Sequence, residues 1–191
     1  MSERRKVIFV TDGDEAARKT VELVAHDIGG RCISQSWGNP TSLNGEEIVS
    51  LILKTPYDPV LVMFDDCGYR EYGPGEQAMS IVAKHPDIEV IGAIAVASAT
   101  HSSEWTHVDL SLDRYGHLSE FGVDKEGLID LEQGRINGDT VYVLDELKLP
   151  FVIGIGDIGK MAGQDSLKHG APITKQAVEI IMERSGYHES N

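Results

Sequence analysis

Short apolar runs alternate with amphipathic stretches over the first half of the chain, and that alternation predicts repeated strand–helix units. Lys6–Val10 reads as a first strand. Val21, Val24, Ala25 and Ile28, spaced by three or four, read as the buried stripe of the helix after it. Asp14 is placed to cap that helix and Gly29-Gly30 to end it. Arg31–Ser36 reads as a second strand. Asn44 can cap a short helix carrying Ile48, Leu51 and Ile52, which must end before Pro56 because a proline pushes its predecessor out of helical geometry. Val60–Phe64 is a third strand, and a helix from about Gly75 to His85 turns Ala78, Ile81 and Val82 inward. Val90–Ala97 is apolar without interruption, as a strand covered on both faces must be. These units predict an α/β fold with an open, mostly parallel, Rossmann-like sheet flanked by helices.

The texture changes after Ser98. Val108–Asp113 alternates apolar and polar residues, Arg114-Tyr115-Gly116-His117 supplies a turn, and Leu118–Val123 returns. This predicts a β-hairpin inserted at about 106–126 in a single domain spanning 1–191. Gly134–Asp139 is a second turn-rich link, leading into a short helix or strand that ends at Leu147. Phe151–Ile153 is a fifth core strand. A long loop then precedes the last amphipathic helix, Ile173–Arg184, with Ala177, Val178 and Ile181 inward.

Composition narrows the function classes. A hydrophobic content of 41% with 25% charged residues is ordinary for a globular chain and excludes global disorder. The net charge of −14 opposes binding to nucleic acid and any broad hold on an anionic membrane. No stretch approaches the ~20 apolar residues of a membrane span. The charged opening Ser2–Lys6 is not followed by the apolar segment and small-residue cleavage site of a secretion signal. Cys32 and Cys67 do not make a disulfide framework and read as buried thiols. A soluble chain is expected, and a homo-oligomer is compatible with it.

Two acidic turns are the first candidate for chemistry. Thr11-Asp12-Gly13-Asp14-Glu15 closes the first strand and Phe64-Asp65-Asp66-Cys67-Gly68 closes the third. Ligands of open parallel sheets bind at carboxyl ends of strands, so Asp12, Asp14, Asp65 and Asp66 would line one crevice if the two strands are neighbours. Magnesium or calcium would suit such oxygen ligands. The same residues equally suit helix N-caps, and Glu76, in the first turn of its helix, shares the ambiguity. The run from Asp12 to Arg18 resembles the aspartate turn of Toprim domains, which implies a Toprim-like sheet as an alternative. The strand-end glutamate of those domains has no counterpart here.

The glycine-rich segment Phe151–Met161 is the second candidate. Gly154, Gly156 and Gly159 match a dinucleotide spacing, and Gly159-Lys160 approaches a phosphate loop. Met161 stands where a magnesium-ligating hydroxyl belongs, and Gly163, Gly170 and Pro172 break the helix either motif needs. The glycines still mark a close approach by another element, a partner or an anion. With Lys168, His169 and Lys175, Lys160 concentrates positive charge where a small anion could be held. A third group, Ser98, Thr100, His101, Ser102, Ser103, Glu104, Trp105 and His107, follows the fourth strand. It contains no strained serine elbow and too few histidines and cysteines for zinc, so it reads as a polar loop.

Several segments together carry a family resemblance. They are Val7–Asp14, Ile28–Ser34, Tyr57–Asp66, Gly73–Ala78, Ile94–Ser98, Gly134–Val141 and Gly154–Lys160. In combination they resemble the soluble stage V sporulation protein AE of spore-forming Bacillales, over nearly the whole chain. That resemblance implies a non-enzymatic component of the system that moves dipicolinic acid, as its calcium chelate, into the forespore and out during germination. It implies peripheral association with the spore inner membrane through integral and peripheral components of the same channel. It brings no catalytic residues with it. The residues leave two other readings open. One is a divalent-metal-dependent, Toprim-like phosphotransfer or nuclease-like enzyme using the acidic turns. The other is direct binding of calcium dipicolinate between those turns and Lys160 and Lys168.

Overall fold

The computed structural model describes residues 3–68, 72–98 and 104–187. The first strand, β1 (Arg5–Val10), is central and wholly parallel to its neighbours β3 (Val60–Met63) and β4 (Ile88–Val96). β2 (Arg31–Cys32) lies outside β3, and β11 (Val152–Ile155) lies beyond β4. Helices α1 (Glu15–Asp27) and α5 (Pro172–Arg184) cover one face of the sheet. Helices α2 (Gly45–Lys54), α3 (Pro74–Ala83) and α4 (Tyr142–Leu147) cover the other. The parallel, two-faced sheet expected from the apolar runs is therefore present. Val7, Phe9 and Val60 face one core layer and Ile8, Val10 and Leu61 the other, as the period of two requires.

Local signals account for the helix limits. Asp14 caps α1 by accepting from Ala17 N at 2.7 Å. Asn44 and Glu47 form a reciprocal capping box at α2. Ile81 is an exception to the expected inward set: it is 37% exposed at the border of α3 with α2.

The second strand is shorter than its apolar pattern suggests. Pairing ends with Ile33 N donating to Leu61 O, and Ser34–Ser36 turns into a single 3-10 turn. The Ser36 hydroxyl then does what the strand would have done. It donates to Ile33 O at 2.7 Å and accepts from Met63 N at 2.9 Å, so the β3 edge is satisfied by a side chain.

The insertion after β4 is larger than one hairpin. β5 (Trp105–His107) pairs with β10 (Arg135–Asn137), while β6 (Leu110–Leu112) joins the main sheet parallel to β11. The expected hairpin is β6 with β7 (Leu118–Ser119), its turn tied by Asp113, which accepts from Tyr115 N and His117 N. The return strand breaks at Glu120. Its second half, β8 (Phe121–Val123), pairs instead with β9 (Ile129–Gln133) across the Asp124–Gly127 turn. The complete order in the main sheet is β2-β3-β1-β4-β11-β6-β7.

Candidate functional site

Strand order brings the two acidic turns together. β1 and β3 are neighbours, and the chain leaves β1 toward α1 on one face but leaves β3 toward α3 on the other. Connections that diverge in this way open a crevice at the carboxyl ends of the strands. The charges of Asp14, Asp65 and Asp157 all bear on Asp12 there.

Each predicted residue has a definite place. Asp12 is half-buried and accepts from Asp14 N at 3.3 Å; burial, then the charges of Asp14 and Asp65, push its carboxyl well above the usual range. Burial also pushes Asp14 upward, but the Ala17 N–H and the Lys160 ammonium outweigh it and hold its carboxyl below the usual value. Asp65 is 4% exposed, accepts from Cys67 N at 2.8 Å, and is raised by burial to about 7. Asp66 turns to the start of α3. Its carboxylate accepts from Gly75 N at 2.6 Å and Glu76 N at 3.2 Å, and burial raises it to about 6.

The acidic set is thus divided. Asp12 and Asp14 face the crevice and Asp66 belongs with Glu76, Glu104 and Asp139, while Asp65 stands between the two groups: its charge raises Asp12, and Asp139 and Asp66 raise it in turn. Glu76 is buried, accepts from Val143 N at 3.2 Å, and is raised to about 7 chiefly by burial. Burial, then Asp66 and Asp139, raise Glu104. Asp139 accepts from Gly68 N at 3.1 Å. Among the described residues, no three His, Cys, Asp or Glu side chains are grouped so as to hold a metal ion. Asp14 and Asp66 are helix caps, and Asp12 and Asp65 each order the turn that follows its strand.

The glycine-rich loop packs against the protein itself. A Cβ at Gly154 would stand 2.8 Å from Ser111 Oγ, one at Gly156 would stand 2.6 Å from Gly127 N, and one at Gly159 would stand 2.5 Å from Thr20 Oγ1. Gly159 also has φ +74°, which favours glycine. Lys160 reaches back across the rim, 2.9 Å from Asp14 Oδ2 and 3.3 Å from Asp157 Oδ2. Lys175 pairs with Asp27 at 3.5 Å, and Lys168 is exposed on the turn Leu167–His169. The loop's charge is therefore partly spent on the acidic rim.

Sequence reasoning missed Asp157 and Asp165 in this loop because it weighed only glycines and cations there. Asp165 is fully buried and organises the whole segment. It accepts from Gly159 N, Ile173 N and Thr174 N, each at 2.9 Å, and from the Thr174 hydroxyl at 2.6 Å.

Of the strand-four exit, Thr100, His101, Ser102 and Ser103 lie outside the described residues. His107 pairs with Asp145 at 3.0 Å, and Trp105 is half-buried on β5. The two thiols differ. Cys32 is buried, its thiol pushed up to about 12 by burial, whereas Cys67 is exposed, contrary to the expectation of two buried thiols. A cleft of about 390 Å³ lies at the β2 edge, lined by Arg31, Cys32, Lys54 and Tyr57, and shares no residue with the rim.

The fold and rim define a class: an α/β protein with a Rossmann-like sheet whose strand-end carboxylates are tied into turns and helix caps. The family model for stage V sporulation protein AE1 matches residues 6–185, and the chain belongs to that family, a sporulation family. No curated protein and no solved structure matches the chain. Among the described residues, no helix is long and apolar enough to cross a membrane.

Proposed function

We propose that this chain is a non-enzymatic component of the sporulation membrane system that moves dipicolinic acid, as its calcium chelate, into the forespore and out during germination. The observation that carries this reading is the family match over residues 6–185. The rim supports it. Asp14, Asp65, Asp66 and Glu76 each hold a backbone N–H, so the carboxylates have a structural use that needs no substrate. With no membrane-crossing helix among the described residues, the chain would sit at the spore inner membrane by contact with integral components of the channel.

An in-frame deletion in the spore-forming host tests this. Dipicolinate in the deletion spores, measured by terbium fluorescence, should be reduced, or its release on germination slowed, with recovery on complementation. Normal loading together with normal release would overturn the proposal.

A second reading, a divalent-metal-dependent Toprim-like enzyme, is favoured by one feature of the rim: Asp12 stands beside Asp14 and Asp65, and burial with their charges pushes its carboxyl well above the usual range. A cation would relieve that crowding. Calorimetric titration with magnesium, manganese and calcium separates the readings, since metal-dependent chemistry at this rim requires binding.

A further inference from the structure

The segment from Leu118 to Gln133 is unlike the rest of the surface. Leu131 is 94% exposed, Leu118 and Ile129 about half, and Phe121 and Leu128 42% each. Single exposed leucines are ordinary, but five large apolar side chains on one short segment, four of them on the β8–β9 hairpin, are a marker of association. Five carboxylates share the segment (Glu120, Asp124, Glu126, Asp130 and Glu132) against one cation, Lys125, a net charge of −4.

Backbone geometry adds an open edge. β9 pairs with β8 through Phe121↔Gln133 and Val123↔Ile129, with a bulge between these pairs where Asp130 accepts from Glu132 N at 2.8 Å, and among the described residues no strand pairs with its other side. Four of the five β9 residues are exposed. Such an edge is a template for another strand unless something blunts it. Here Asp130 and Glu132 alternate with Ile129 and Leu131, so the edge is blunted selectively: charge repels an acidic strand and attracts a basic one.

We propose that the outer edge of β9 receives an extended, apolar segment of a partner protein that carries lysine or arginine, added as a further strand. Main-chain groups of β9 other than Glu132 N, which Asp130 holds, would supply the ladder, while Ile129 and Leu131 would contact the partner's apolar side chains. Its cations would meet Asp130, Glu132 and their neighbours. Charge makes this occupant preferable to the alternatives. A second copy would oppose −4 with −4, and an anionic lipid surface would be repelled in the same way. The edge is independent of the transport reading: a chain with no part in dipicolinate movement would still present it.

The test uses the whole protein and a labelled synthetic peptide alternating valine with lysine, at near-physiological salt. A glutamate-for-lysine version is the control. The lysine peptide should bind, and hydrogen exchange should slow at residues 129–133. Ile129→Thr combined with Leu131→Ser leaves the charge unchanged and should weaken binding about tenfold. Leu131→Ser alone, at a side chain almost wholly in solvent, preserves the fold and should weaken binding in the same direction. Leu53→Ser, at another exposed apolar position, should leave affinity unchanged. Undiminished binding by both hairpin variants would overturn the proposal, as would equal binding of the glutamate peptide or protection located elsewhere. A concentration-dependent dimer that Leu131→Ser abolishes would also overturn it, by assigning the edge to a second copy.

Discussion

Replacing Asp165 with alanine should cost about 4 kcal/mol of folding stability, while leaving every rim carboxylate in place. The carboxylate is fully buried and accepts from Gly159 N, from the first N–H groups of α5 at Ile173 and Thr174, and from the Thr174 hydroxyl. A buried donor left without a partner costs about 1–3 kcal/mol, and bonds to a charged acceptor lie in the upper part of that range. Water entering the vacated volume offsets part of the loss. Asp165→Asn keeps one acceptor oxygen and should cost about half as much. The urea midpoint of the alanine variant should fall by roughly 2 M at a slope of about 2 kcal/mol/M. A change of only a few tenths would mean that the loop 156–171 is held by its apolar contacts, Ile158, Met161 and Ala171, and not by this acid.

Stability should be greatest near about pH 4 and should decline toward pH 8, by a drop of several kcal/mol. Asp65 moves from an ordinary 3.8 to about 7, Asp66 from 3.8 to about 6, and Glu76 from 4.5 to about 7, each chiefly through burial. Above about pH 4 the unfolded chain has released these protons while the folded chain still holds them. The folded state binds more protons throughout that window, so stability falls as pH rises through the folded values. Asp14, Asp113 and Asp145 act in the opposite sense. In each, burial pushes upward, but hydrogen bonds and a neighbouring cation or histidine win and lower the carboxyl. Their contribution is present above the ordinary carboxylate range and is lost as pH falls through their folded values. The two trends bracket the maximum. Thermal unfolding across this range, with Asp65→Asn and Glu76→Gln flattening the alkaline limb, is the check. Stability rising steadily from pH 5 to 8 would contradict the buried-acid account.

The features legible in the sequence are those encoded locally. The apolar runs of β1, β3 and β4 and the caps at Asp14 and Asn44 are read from neighbouring residues, and the structure places them as expected. The acidic turns were equally legible as strand ends. Their division was not: adjacent residues on an extended chain point in opposite directions, so Asp65 and Asp66 serve different sides, and only tertiary packing decides which side meets Asp12. Lys160 advertised positive charge, but its partner Asp14 lies 146 residues away in sequence. The strand β9 was missed although Ile129-Asp130-Leu131 alternates and Asp124–Gly127 is a turn signal, because one hairpin already accounted for the region. Asp165 gave no local signal, since a lone aspartate in a glycine-rich loop reads as a solvated residue.

The central claim is that the acidic rim is structure within a transport component and not an active site. It is tested most directly by a strain whose only copy of the protein carries Asp12→Asn and Asp65→Asn, two changes that keep the side-chain shape and the oxygen accepting Asp14 N or Cys67 N. Spore dipicolinate and its release on germination should match the parent strain, with the protein at parental abundance. Loss of both to the level of the deletion strain, at unchanged abundance, would contradict the account and make the carboxylates functional groups.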